Sequence, residues 1–360
     1  MRLLFIQLSV TPAAGPVHAG RESRLPSPRE ESQVSEATPT LHLSSGPHIA
    51  SGRTTAQIMW MVNLSLFPAL LWAWAVFGWA VLAVTASSIL GCVAAEYVVC
   101  RIGKTASTVS DGSAFCSGLL LAYTLPPAIP LWMPFIGGAL AMVFAKGLFG
   151  GLGYNIFNVA LVGRAIMMAT FPVEMTTRWL TPALGKADAV SAATALAQLK
   201  LGGQAALAKM LAALPDGAQI WFDFFLGMRA GSIGEVSVLM ILLGAAFLLW
   251  KGIIKLYIPL SILAGVALMA PFSPAPVLYM LSGGLWLGAF FMATDYVTSP
   301  VTPKGQIVFG IGIGLLTGII RNWGGYPEGI CYAIMLMNIL TPALNDWFRP
   351  KRLTADGVPS

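Results

Sequence analysis

The sequence predicts an all-α polytopic membrane protein of about ten transmembrane helices in two inverted five-helix repeats, with one extracytoplasmic insertion. Composition is the first reason. Of 360 residues, 56% are hydrophobic and only 10% charged, with a mean hydropathy of +0.75; an average soluble domain carries roughly 25% charged residues. The second is a series of apolar runs near the length of about 20 residues that a bilayer requires, or shorter where a helix is broken or enclosed by neighbours. The third is similar punctuation in the two halves. Pro130 precedes Gly151 by 21 residues and Pro303 precedes Gly324 by 21, and small-residue pairs, Ser117-Gly118 and Gly283-Gly284, stand ahead of each.

The elements follow in order. Residues 1–46, rich in Pro, Ser, Glu and Arg after the apolar opening Leu3 to Val10, read as a disordered tail or as residues ahead of a misassigned start. A signal peptide with core Leu3-Leu4-Phe5-Ile6 and a cleavage-like Val17-His18-Ala19 is a weaker alternative, because its core is short and export would place Arg53 outside. The first repeat, 47–171, holds spans at 56–77, 79–99, 113–126, 131–149 and 155–171. The insertion 172–231 carries Asp188, Lys200, Asp216 and Asp223 among Gly and Pro. The second repeat, 232–348, holds spans at 235–251, 254–271, 276–294, 306–320 and 329–347, before a tail at 349–360. Five spans per repeat is an odd number, so the copies must be inverted, as in many transporters and channels.

Lys and Arg in short loops set orientation. With the tail inside, the inner side collects Arg53, Arg101, Lys104, Lys146, Lys251, Lys255, Lys304, Arg349, Lys351 and Arg352, and the short outer loops collect only Arg321. Both termini are therefore expected on the inner, cytoplasmic side and the insertion on the outer, periplasm-like face. The net charge of +6 does not imply nucleic acid, since the basic residues sit at the ends of apolar runs without interleaved aromatics. Cys92, Cys100, Cys116 and Cys331 lack metal-ligand spacing, and His18, His42 and His48 all precede the first span, so no metal site is expected. No nucleophile–base set or dinucleotide loop is visible, so no catalytic residue is assigned. The Gly150 to Gly153 run is read as opening a membrane helix, with its glycines serving close packing.

Ionisable groups within spans are costly and mark function. Arg164 lies nine residues into the fifth span, roughly 13 Å along at 1.5 Å per residue, and is read as charge-compensating ahead of a direct ion-path role. Asp295, in the Pro-rich break after the eighth span, is the second ion-path candidate. Lys146, Glu96, Asp111, Asp295 and Glu328 lie nearer segment ends and are expected to snorkel, with the ion-path role an equal alternative for Asp295. Asn158 and Asn338 are expected to bond neighbouring helices.

Within the insertion, Asp188-Ala189-Val190-Ser191-Ala192-Ala193-Thr194 begins a stretch of good helix formers running to Lys200, with Asp188 or Ser191 as N-cap. An anion on Thr194 would meet the free N–H groups of the first turn. The heptamer resembles the Asp-x-x-Ser-x-Ala-Thr flavinylation motif. Ser45-Gly46-Pro47-His48-Ile49, Lys146-Gly147-Leu148-Phe149-Gly150-Gly151-Leu152-Gly153-Tyr154-Asn155-Ile156-Phe157-Asn158-Val159-Ala160 and Ala293-Thr294-Asp295-Tyr296-Val297-Thr298-Ser299-Pro300 are similar, in order, to signatures of the RnfD/NqrB family. Two departures are a residue inserted between Ser45 and Pro47, and Val159 where proline is usual.

The resemblance covers nearly the whole chain beyond the tail. It implies an electron-carrying membrane subunit of an ion-translocating oxidoreductase complex, with FMN esterified to an exposed Thr194 by a separate flavin transferase that recognises Asp188 and Ser191. A second, non-covalent flavin is left open. The implied partners are the other members of a complex coupling ferredoxin:NAD electron transfer to Na⁺ or H⁺ movement, among them the flavinylated G subunit, together with membrane lipid. The roughly 50 residues before the first span favour the Rnf D-type branch over the B subunit of the Na⁺-translocating NADH:quinone oxidoreductase. From the inverted-repeat design alone, a flavin-free channel or transporter is the rival. Reporter fusions at Gly185 and Ser360 should give opposite readings, and the same sign at both would remove the ten-span topology.

Overall fold

The computed structural model describes residues 52–104, 108–182, 194, 196–198, 200, 202, 205, 225–235, 237–326 and 328–349. Among them the protein is helical. Helix α1 (Thr55–Phe77) starts at a capping box in which Thr54 Oγ1 accepts from Gln57 N at 3.3 Å and Gln57 Oε1 accepts from Thr54 N. Gly78, at φ 77°, turns the chain into α2 (Trp79–Ile102). Then follow α3 (Ser113–Tyr123), α4 (Trp132–Ala141) continuing as a π-turn over Met142–Gly147, α5 (Val159–Thr170) and the short α6 (Pro172–Thr177). The second half comprises α7 (Val238–Trp250), α8 (Tyr257–Met269), α9 (Pro276–Leu281), α10 (Leu285–Leu287) running into a π-turn over Gly288–Met292, α11 (Pro303–Trp323) and α12 (Ile330–Trp347). By length and composition α1, α2 and α11 are long and apolar enough to cross a membrane.

Helices coincide with the expected spans, but several are shorter or broken. The fifth begins at Val159 instead of 155 because Asn158 caps it, its Oδ1 accepting from Ala160 N at 3.0 Å. The eighth is no continuous helix. Gly283 and Gly284 both hold left-handed φ, 77° and 63°, and split it into α9 and α10. The matching pair in the first half stays helical, with Gly118 inside α3, so the halves differ here. The Gly150 to Gly153 run does not open a helix either: Gly150, Gly151 and Gly153 turn at φ near 100°, with open space beside Gly151 and Gly153, so conformation rather than packing requires them. Most of the insertion beyond α6 and all of residues 1–46, Asp188 and Ser191 lie outside the described residues.

Helix α2 packs along α4 and α8 along α11, and α1 meets α7. Small residues permit these approaches, because lipid offers no hydrophobic incentive and backbone contact supplies the dispersion energy. A Cβ on Gly138 would lie 2.7 Å from Ser88 O; one on Gly314 would lie 2.7 Å from Gly265 Cα. At Gly244 a Cβ would collide with Ser65 O. Gly244→Ala should therefore lower stability by about 1–3 kcal/mol, the usual cost of overpacking, measured by thermal unfolding in detergent. Gly325→Ala, where a Cβ meets nothing within 4 Å, is the control that should leave the midpoint in place.

Candidate functional site

Thr194 is buried, at 5% exposure, which overturns the expected exposed placement. Its own backbone and side chain start the helix: Thr194 O accepts from Gln198 N at 3.0 Å and Thr194 Oγ1 accepts from Ala197 N at 3.3 Å. Thr194 thus takes the N-cap place expected of Asp188 or Ser191. The residue lines a cavity of about 300 Å³ whose walls include Trp179, Tyr326 and Tyr332, with Arg164 and Lys200 as its cations and Glu328 as its carboxylate. Tyr326 and Tyr332 lie with ring centroids 4.9 Å apart.

One wall is the loop between α11 and α12, and three cations from three segments grip it. Lys200 Nζ donates to Tyr326 O at 2.8 Å and to Ile320 O at 3.3 Å. Arg321 Nε donates to Glu328 O at 2.7 Å. Arg164 Nη2 donates to the Glu328 carboxylate, and its Nη1 donates to Thr124 O at 2.5 Å. Arg164 is accordingly paired and buried deep in the bundle, and Glu328, expected to snorkel, is instead its buried partner. Arg321 is likewise no loop residue: it ends α11 inside the protein, 5% exposed.

Arg321 also holds the broken span. Its Nη1 donates to Tyr279 O at 2.6 Å, and its Nη2 to Ser282 O at 2.9 Å and Gly283 O at 3.1 Å. Gly283 N donates to the Glu235 carboxylate. Arg229 bonds Ser282 Oγ at 2.7 Å and Leu281 O at 2.8 Å, with Glu235 3.8 Å away. Side chains thereby satisfy backbone groups freed at the break, which bilayer hydrocarbon cannot do.

Asp295 faces a separate cavity of about 100 Å³ with Lys146, Asn155, Asn158 and Thr294 in its lining. The two cavities lie at different levels of α5: Asn158 and Val159 border the Asp295 cavity, whereas Arg164 and Met168 border that of Thr194. Arg164 and Asp295 are therefore not brought together. Asp295 Oδ1 accepts from Val297 N and Oδ2 from Thr298 Oγ1, both at 3.4 Å.

Sequence reasoning missed a further buried pair. Lys146 and Glu96, expected to snorkel, bond one another across α2 and the α4 π-turn, with Lys146 Nζ also donating to Ser113 Oγ at 2.7 Å. Thr108 Oγ1 donates to the same carboxylate at 2.5 Å. Opposite charges inside two apolar runs were the available signal. Both asparagines do bond neighbours: Asn158 Nδ2 donates to Met292 O, and the Asn338 amide, turned nitrogen-first, donates to Thr298 O, each at 3.2 Å. Among the described residues no group of His, Cys, Asp and Glu is arranged to hold a metal.

The model of the NQR2, RnfD, RnfE family matches residues 42–354. The chain belongs to this family. Relatives include the D subunit of the proton-translocating ferredoxin:NAD⁺ oxidoreductase complex of Clostridium ljungdahlii, 43% identical over 316 residues, or 86% of this chain and 94% of the relative. The D subunit of the Na⁺-translocating ferredoxin:NAD⁺ oxidoreductase complex of Acetobacterium woodii is 44% identical over 307 residues, 84% and 92% of the two chains. The D subunit of the ion-translocating oxidoreductase complex of Escherichia coli is 36% identical over 342 residues, 86% and 97%.

Removing one member of a buried ion pair leaves an uncompensated charge, at a cost of about 3–5 kcal/mol. Arg164→Leu should lose stability of that order in this family member. Adding Glu328→Gln to it should recover most of the loss, measured by thermal unfolding of the single and double variants.

Proposed function

We propose that the chain is the flavin-carrying D-type subunit of an ion-translocating ferredoxin:NAD oxidoreductase complex, with FMN joined through its phosphate to Thr194 Oγ1. The observation that carries this reading is the cavity at Thr194, where aromatic walls suit a flat ring system and Arg164 and Lys200 suit an anionic ester. Pockets for cofactors begin near about 300 Å³, the size found here. Bound FMN would supply the electron-accepting chemistry, and the protein position, local charge and exclusion of water. Trp179, Tyr326 and Tyr332 bound the space for the ring; Thr194 is an anchor and takes no part in turnover.

Burial of Thr194 gives the transferase an order of events. Its hydroxyl is reached only while Thr194 and its helix are away from the α11–α12 loop, so attachment acts on the undocked state. The cavity faces the periplasm in this reading, and electrons pass between it and an outer carrier, the flavinylated G subunit. Ion movement belongs to the bundle between the two cavities. Two inverted five-helix repeats are supported there by the matched pairs α2 with α4 and α8 with α11, and by the meeting of α1 with α7. Relatives named for protons and for Na⁺ are 43% and 44% identical to the chain, so overall identity does not choose between the two ions.

Ultraviolet fluorescence of the denatured polypeptide, expressed in its own host, should show a covalent flavin that Thr194→Ala abolishes without loss of membrane insertion. Asp188→Ala and Ser191→Ala should lower occupancy. A flavin-free channel predicts no fluorescence in any of the four proteins, and flavin mapped to another residue, such as Thr181, would reject the assignment. For ion coupling, Asp295→Asn should reduce ion uptake per electron in vesicles holding the whole complex while flavin content is unchanged. Wild-type ratio and rate would remove Asp295 from the path.

A further inference from the structure

Three cations meet one carboxylate at the α11–α12 loop. Arg164 takes the Glu328 carboxylate, while Arg321 and Lys200 bind only carbonyl oxygens there and pair with no carboxylate among the described residues. Carbonyl dipoles satisfy the donors without cancelling the charge. Glu235, the other carboxylate nearby, is engaged by Gly283 N and Arg229. Among the described residues, the cation that lines the cavity without an acidic partner is Lys200.

Lys200 belongs to the same insertion helix that Thr194 caps. Its ammonium reaches across to two carbonyls of the bundle, and Leu196 flanks Gly283 beside Arg321: a Cβ on Gly283 would lie 2.5 Å from both Leu196 Cδ1 and Arg321 Nη2. Desolvation lowers the Lys200 ammonium from its ordinary value. An ammonium has three N–H donors, and the two carbonyls leave one for an incoming acceptor.

We propose that Lys200 is a positioning residue, the counter-cation of the anionic phosphate ester carried on Thr194, which makes loading of Thr194 and docking of its helix onto the α11–α12 loop mutually stabilising. This rests on the reading of Thr194 given above. Unloaded, the segment is held by two neutral acceptors; loaded, the same ammonium gains a charge-assisted bond, roughly twice as strong as a neutral one.

The test is a cycle on the full chain in the purified complex, prepared with and without the flavin transferase, comparing wild type, Lys200→Gln and Lys200→Glu. Cys331, buried in the wall of the same cavity, reports opening through the temperature midpoint of its thiol labelling, resolved by peptide mass spectrometry. Flavin loading should raise that midpoint in wild type. Lys200→Gln should at least halve the rise, and Lys200→Glu should abolish or invert it. A purely structural lysine would lower loaded and unloaded midpoints equally, leaving the rise intact in both variants, and that result overturns the proposal. Absence of flavin from the wild-type chain would overturn the assignment of Thr194 itself, and this inference with it.

Discussion

Buried charge must be answered locally in this protein, because neither water nor lipid is available to do it. The α11–α12 loop is where that constraint is met most densely. The buried Arg164 of α5 and Arg321 of α11 converge on it together with the exposed Lys200 of the insertion, binding the Glu328 carboxylate, Glu328 O and Tyr326 O respectively. The wall of the Thr194 cavity, the end of the broken span and the docking of the insertion all depend on these bonds. Arg321 joins the first two, since the guanidinium that holds Glu328 O also caps the carbonyls of α9 at the break. A planar fork of five donors suits this task; the compact ammonium of a lysine would not span four acceptors.

A second consequence is the separation of the molecule into two ends. The Asp295 cavity and the Thr194 cavity are bridged by α5, and α12 runs from Cys331 at the Thr194 cavity to Thr341, whose Oγ1 donates to Thr298 O at 2.9 Å near Asp295. Each end has its own buried pair, Glu96 with Lys146 and Glu328 with Arg164. Between them lies tightly packed apolar bundle with Leu119, Leu161 and Ile334 almost wholly enclosed. Such packing has few intermediate arrangements, so any communication between the ends runs through the rigid helices rather than through gradual deformation. The π-turns over Met142–Gly147 and Gly288–Met292 end the fourth and eighth spans, where the extra residue per turn turns Lys146 inward and places Met292 O before Asn158.

Much was legible in the sequence. Low charge and long apolar runs required a helical membrane protein, since only internally bonded helices or closed barrels satisfy the backbone there; Pro and Gly marked where the runs stop; and ordered motifs pointed to the family. What only the tertiary structure decided is which polar groups meet. Glu96 and Lys146 are 50 residues apart, Arg164 and Glu328 164 apart, and Lys200 reaches Tyr326 over 126. Nothing in a hydropathy pattern distinguishes a charge that snorkels from one that turns inward to a partner on a distant helix, because both sit near the ends of apolar segments. For the same reason Thr194 read as exposed within a polar heptamer, while burial came from the helix it caps and the loop on which that helix rests. Periodicity and composition act through neighbours in sequence; ion pairs, the break at Gly283-Gly284 and the cavity at Thr194 are set by neighbours in space.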